Sequence, residues 1–492
     1  MKRFRFFYPC DIAFAIALLL KFFSAGIWYF PVLDDHIQYG SYPLFPLSHV
    51  LFNIGTVSSR PFASILDPSF WGLFYHHMWI ALGLICVLYF FSAVLLDRIL
   101  VKHHVTVTPF LYATYLLMPI TFEGSYWISA SSRIVVGMFF ATAAAFLLMR
   151  YFSIKKKRIL AGYIALALLS FGFYESVMIF SFVLQIFVIV KRALNDKTKK
   201  TLLYLVFPFA LALLMMLYYV LAARVFSSGS RASTFSLNDF GERIRSLLEQ
   251  FVYIITTGSF RTTINGFWDG LKHILSSPLT ALILIPLILG VSALCAKTGK
   301  KYEIRGKVNT CVPLGLAMIG LPLLPHLLVP DVWLTYRSVL VCIPGFCVLF
   351  APIGRQLLKK HRSRQFAIFL LVALFSVGCV NELQTYQKVS KTDAVIVENV
   401  ANALSEDVKN GNASAILVLP HEIIIPQTSY YKDHVKSVAS SDWALTGAVR
   451  AKTKNNGIPY ITPVYSLDGV DTDGKQVLYM DKTYQVTEET YE

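Results

Sequence analysis

Apolar runs long enough to cross a bilayer constrain this chain more than any other feature. A helix that rises 1.5 Å per residue needs about 17–25 predominantly apolar residues to span the hydrocarbon layer. Eleven stretches meet or approach that length: Pro9 to Phe30, Phe74 to Leu96, Val107 to Phe122, Ile134 to Met149, Ile159 to Phe173, Ser176 to Val190, Leu202 to Ala222, Pro278 to Ala296, Val308 to Val329, Ser338 to Ile353 and Phe366 to Val380. Hydrophobic residues make up 55% of the 492 positions and aromatics 14%, more apolar surface than a water-soluble domain can cover. The expected fold is an α-helical polytopic membrane protein with about eleven transmembrane helices.

The net charge of +16 would suggest a nucleic-acid partner in a soluble protein, but here its distribution gives it another meaning. Lysine and arginine cluster on alternate connections: Lys2, Arg3 and Arg5; Arg98 and Lys102; Arg150 to Arg158; Lys191 to Lys200; Lys297 to Lys307; and Arg355 to Arg364. Short loops rich in these residues stay cytoplasmic, so the chain is expected to run N-in and C-out, with no nucleic acid as partner. All seven cysteines fall in or beside apolar stretches, which argues against a disulfide framework and against a cysteine metal site.

Under this topology the sequence Leu33-Asp34-Asp35-His36 emerges on the outer face, directly after the first span. The loop of residues 31–73 that follows mixes Leu, Phe and Ile with Pro, Ser and Gly, and reads as one or two short interfacial helices. Arg60 is its only basic residue; its fork suits a phosphate or carboxylate, and a lipid headgroup contact is the plainer reading. Lys21, in the middle of the first span, either faces the bundle or snorkels to the interface.

Other polar residues return to the same face. Glu123 and Arg133 flank a serine-rich turn after the third span, and Glu175 sits in a short turn between two spans. The outer segment of residues 223–277 carries two amphipathic patterns. One runs from Phe240 to Ile255 with a cap at Ser236 to Asp239, the other from Ile264 to Leu275. Arg231, Arg243, Arg245 and Arg261 accompany them, as an anion site or as a solvated face. A further short outer loop brings His326, Asp331, Trp333, Tyr336 and Arg337.

Two domains are expected, a membrane domain over residues 1–380 and an extracytoplasmic α/β domain over residues 381–492. The second is polar, with strand-like runs at SAILVLP, IPYITPVY and KQVLYMD and a helical run around Val395 to Val408.

Outer acids, outer arginines and interfacial aromatics suit transfer of a sugar from a lipid-anchored anionic donor. The acceptor hydroxyl must lose its proton as the new bond forms, which calls for a carboxylate such as Asp34 or Asp35. Charge develops on the leaving phosphate, which calls for Arg60, Arg337 or the group from Arg231 to Arg261.

The acid pair after span one, the helices of the first loop, Glu123 after span three and the outer carboxyl-terminal domain together resemble the GT-C superfamily of membrane glycosyltransferases. The branch it is most similar to is that of the bacterial serotype-converting O-antigen glucosyltransferases, related to the protein O-mannosyltransferases and aminoarabinose transferases. The loop lacks the Asp-Glu order of the mannosyltransferases. The resemblance implies a polyprenyl-phosphate sugar donor, a cell-envelope glycan acceptor of teichoic acid or O-antigen type, inversion at the anomeric carbon, and a site on the extracytoplasmic face of the cell membrane. It further implies Asp34 or Asp35 as base, Glu123, Glu175 and His36 as groups that place the acceptor or a divalent cation (Mg or Mn), and Arg60, Arg133, Arg261 and Arg337 as donor-phosphate ligands. A flippase or transporter of lipid-linked saccharides, or a ligase or polymerase of them, is the competing class. Transporters favour internal repeats and mid-membrane polar sites, and no repeat is visible here.

Overall fold

The computed structural model describes residues 7–58, 60–225, 239–328, 332–420 and 432–488. Lys2, Arg3, Arg5, Arg231, Ser236 and Asp331 lie outside the described residues. Most of the chain is helical, and seven described helices have the length and apolarity to cross a membrane: Trp71–Lys102, Ile128–Ile154, Glu175–Asp196, Lys199–Ala222, Pro278–Gly299, Val308–Leu328 and His361–Ala403. An eighth candidate, Tyr336–Leu349 with Ala351–Leu357, bends by 50°, where Pro352 enters the second helix without an N–H to donate.

Three further apolar stretches of the sequence form shorter or broken helices. Pro9–Phe23 and Lys157–Phe171 have 15 residues each. The stretch after Val107 divides into a helix Thr108–Leu111, a π-helical turn Tyr112–Leu117 and a 3-10 turn at Pro119.

The chain divides into two compact units. The first comprises Met1–Gly26, Val57–Ala63 and Gly83–Leu383. Its best-covered helix is Ile128–Ile154, 72% buried across its apolar window, packed against Lys157–Phe171 and Glu175–Asp196. Lys199–Ala222 and Pro278–Gly299 are only 22% and 33% buried, with Leu213, Leu217, Leu282 and Ile283 turned outward as lipid-facing side chains should be.

Two cations deep inside this unit, Lys21 and Arg98, are met by partners. Lys21 is fully buried and donates to the Leu116 carbonyl (2.9 Å), Thr121 Oγ1 (2.9 Å) and Ser125 Oγ (3.1 Å). All three ammonium hydrogens are thus used, so the lysine faces the bundle and does not snorkel. Arg98, which the sequence offers as an orientation signal, is instead buried between Asp11 and Asp97 and donates to both. The Tyr112 hydroxyl donates to the second oxygen of Asp11 at 2.8 Å, and the guanidinium lies 4.5 Å from the ring centre of Tyr8.

The amphipathic segment forms the helices Phe240–Tyr253 and Gly266–Leu275, joined by π-helical turns. The second helix turns two of its large apolar residues outward: Trp268 and Leu275 are exposed, and Gly266, Gly270 and Ile274 face inward. A Cβ at Gly270 would stand 2.2 Å from the Val377 carbonyl, so the glycine permits helix-on-backbone contact that periodicity of large residues does not reveal.

The second unit comprises Ile27–Thr56, Ser64–Leu82 and Gln384–Glu492. Its sheet has the order β2-β1-β3-β4, with β1 (Ser414–Val418) parallel to β2 (Ile461–Val464) and to β3 (Lys475–Met480). β4 (Val486–Glu488) is antiparallel to β3. The three strand-like runs of the sequence are β1, β2 and β3. Alternate residues of β3 are buried, as a half-covered sheet requires. The helix Asp442–Thr453 forms the crossover between β1 and β2. The long helix His361–Ala403 changes units after Leu383. The apolar stretch Phe366 to Val380 and much of the helical run near Val395 therefore belong to one helix.

Because removing one member of a buried charge group strands the others, Arg98→Ala should cost about 3–5 kcal/mol. Denaturant titration of the detergent-purified protein should show a clearly lowered midpoint, with Lys102→Ala close to wild type.

Candidate functional site

The acid pair lies in the second unit. Leu33 adopts a left-handed backbone (φ 42°), unusual for a side chain of its kind. A turn closes around it, with Asp35 N–H donating to the Val32 carbonyl (2.9 Å) and His36 N–H to the Leu33 carbonyl (3.1 Å). The two aspartates receive different surroundings from this turn. Asp35 is fully buried, and its Oδ2 accepts from the Tyr29 hydroxyl at 2.6 Å and from the Val32 N–H at 3.2 Å. Asp34 is only half-buried.

His36 opens a π-helical turn, His36–Ser41, and its Nδ1 lies 2.8 Å from the Tyr75 hydroxyl. Burial pushes the imidazole down to about 4, against an opposing hydrogen bond to the Pro31 backbone, so it is neutral at pH 7. A neutral ring can accept or donate a hydrogen bond but offers no charge to an anion.

The first unit brings two acid–arginine pairs together. Glu175 starts the helix Glu175–Asp196, where a carboxylate suits the helix dipole. Arg60 grips it with Nε at 3.1 and 3.2 Å from the two oxygens and Nη2 at 3.1 Å, while its guanidinium stacks 4.5 Å from the Tyr174 ring centre. The arginine that the sequence offers as a phosphate ligand thus has a carboxylate in its fork. Glu123 is fully buried in the short helix Phe122–Tyr126, with Arg337 Nε 4.0 Å away. Arg337 is the second residue of the short helix Tyr336–Val339 and lies over the Trp127 ring at 5.2 Å. A Cβ at Gly124 would meet the Arg337 Cα at 3.2 Å, so the two segments touch backbone to backbone.

The remaining candidates do not gather. Arg133 is half-buried in the second turn of Ile128–Ile154. Arg261 is exposed and donates to the Tyr253 hydroxyl at 3.1 Å. Arg243 is buried and turns toward the Leu327 carbonyl, whereas Arg245 is exposed and pairs with Glu249. Among the described residues no group of three His, Cys, Asp or Glu side chains could hold a metal ion. Sequence reasoning missed Tyr29 and Tyr75. Tyrosines beside a span are expected as interface anchors, and nothing in their spacing marks these as partners of an acid or a histidine.

The same unit as Arg337 contains an apolar cavity of about 340 Å³. Phe110, Met118, Ile255, Ile343, Phe346 and Phe350 contribute to its wall, with Thr114, Ser259 and Cys347 as its few polar atoms. Next to Ser259, a Cβ at Gly258 would stand 2.8 Å from the Tyr336 hydroxyl, so this wall adjoins the residue before Arg337.

Comparisons with curated protein sequences and with solved structures give no match. The model of one family, glucosyl transferase GtrII, matches residues 47–351, more than half of the chain. That range contains both acid–arginine pairs and excludes Asp34, Asp35 and the sheet. Together with the membrane-length helices, the match shows that this chain is a membrane glycosyltransferase and belongs to the glucosyl transferase GtrII family.

Proposed function

We propose that this protein moves a glucosyl group from a polyprenyl-phosphate donor to a cell-envelope glycan of the O-antigen type on the outer face of the membrane, with Asp34 as general base. The observation that carries the assignment is the asymmetry of the acid pair. Asp35 is buried and committed to Tyr29 and Val32, and Asp34, one residue earlier in a strained turn, is the half-exposed carboxylate. Backbone strain of this kind persists where the surrounding structure holds it, often at functional sites.

The proposed step is a single displacement. The acceptor oxygen forms its bond to the anomeric carbon as the bond from that carbon to the phosphate oxygen breaks. The acceptor proton passes to the Asp34 carboxylate, and the electron pair leaves on the polyprenyl phosphate. Inversion at the anomeric carbon follows. Arg337, which lies over Trp127 and beside Glu123 in the first unit, is proposed on the resemblance as a donor-phosphate ligand, an assignment separate from that of Asp34 in the second unit. The apolar cavity is assigned to isoprenoid units of the donor, because its lining offers almost nothing to a sugar nucleotide. The family match favours transfer over the flippase reading.

Mass spectrometry of the envelope glycan in a deletion strain, complemented with variants at matched membrane levels, tests the base. Asp34→Asn should abolish the added sugar, in line with the roughly 10²–10⁴-fold contribution of a general base. Asp35→Asn should retain part of it, since an amide oxygen can still accept from the Tyr29 hydroxyl and the Val32 N–H.

Arg337→Ala should lower kcat by about 10²–10³-fold, the range for loss of one charge-stabilising group.

Ala351 also lines the cavity, and filling it by Ala351→Phe should raise KM for a long-chain polyprenyl donor, with a short-chain donor affected far less. An equal rise for both would remove the cavity from the donor site.

A further inference from the structure

The loop that bears the acid pair packs within its own unit against the segment from Gln384 onward, and the contacts are unusually close. A Cβ at Gly40 would stand 2.5 Å from the Ala451 Cβ, and a Cβ at Gly447 would stand 2.4 Å from Ile37 Cγ1. Each surface has therefore given up a side chain where the other approaches, so the helix Asp442–Thr453 and the turn His36–Ser41 meet nearly backbone to backbone.

A second contact reaches the same loop from the helix His361–Ala403. Tyr386 is fully buried and donates its hydroxyl to the Phe30 carbonyl at 3.0 Å. Its ring lies 5.5 Å from that of Tyr29, whose hydroxyl holds Asp35, and the buried His434 ring stacks on Tyr386 at 6.2 Å. A third contact, from Asn456 Nδ2 to the Leu44 carbonyl (3.0 Å), fixes the far end of the loop.

We infer that the segment from Gln384 onward is the platform that sets the position of Asp34, and that Gly447, Tyr386 and Tyr29 are positioning residues for glucosyl transfer. The inference rests on the reading of Asp34 as base. Its physical content is distance: a carboxylate must reach the acceptor hydroxyl at hydrogen-bond range, and a displacement of about 1 Å can cost on the order of 10²-fold in rate. The left-handed backbone at Leu33 persists where the surrounding structure holds it, and this segment contacts the chain on both sides of it, at Phe30 through Tyr386 and at Ile37 and Gly40 through the helix Asp442–Thr453.

The test uses the full chain in lipid nanodiscs, with radiolabelled polyprenyl-phosphate glucose as donor and envelope glycan from a strain lacking the enzyme as acceptor. Gly447→Ala should lower kcat at least tenfold with donor KM near wild type in protein that still folds, because the new methyl meets Ile37 Cγ1 and displaces the turn. Adding Ile37→Ala removes the colliding Cγ1 and should recover most of the rate. Tyr29→Phe, which deletes a single hydroxyl, should also lower kcat at unchanged donor KM. Wild-type kcat in both Gly447→Ala and Tyr29→Phe overturns the platform, as does a Gly447→Ala loss that Ile37→Ala fails to relieve in folded protein. Asp34→Asn, run alongside, separates the two readings. Full activity there overturns the base assignment, whereas loss there with wild-type rates in the other variants overturns only the platform.

Discussion

An ionisable side chain in an apolar interior has to be met by groups that replace water, and this requirement organises the helical unit. Lys21 draws together the π-helical turn, the 3-10 turn and the short helix Phe122–Tyr126 through Leu116, Thr121 and Ser125. Arg98 ties two helices and a π-helical turn by way of Asp11, Asp97 and Tyr112. The broken course of the stretch after Val107 fits this arrangement, because a regular helix would hide the carbonyl and hydroxyls that Lys21 uses.

The same requirement accounts for two further acid–arginine pairs of this unit. Glu175 is gripped by Arg60, and Glu123 lies beside Arg337 and Trp127. A pair of this kind can be a structural clamp or a charge reserve for an anionic ligand. The two differ in closeness: the Arg60 contacts are bidentate and near 3.1 Å, whereas the Arg337 contact is 4.0 Å. A tight fork resists exchange of its carboxylate for a phosphate.

The membrane character, the locations of the long helices and the three main strands were legible because hydropathy and period-2 alternation report directly on burial. What the sequence hid follows from physics that leaves no periodic trace. Glycine faces such as Gly266 and Gly270 carry no hydrophobic signal, yet they decide which side of the helix turns inward. Asp34 and Asp35 are identical in sequence, and only the left-handed Leu33 and the Tyr29 hydroxyl give them different surroundings. The sequence marked Arg60 and Glu175 as separate candidates, but pairing across 115 positions has no local signature.

The contact between the first loop and the helix Asp442–Thr453 also has a consequence for biogenesis. Leu44 and Asn456 are separated by 412 positions, and at roughly 5–20 residues per second the second partner follows the first by on the order of half a minute. During that interval the ribosome has already delivered the spans, but the loop has no surface on which to take its final form. Membrane insertion and maturation of the acid pair are thus separate events in the life of one polypeptide, and a nascent chain that has inserted correctly still awaits its own later residues.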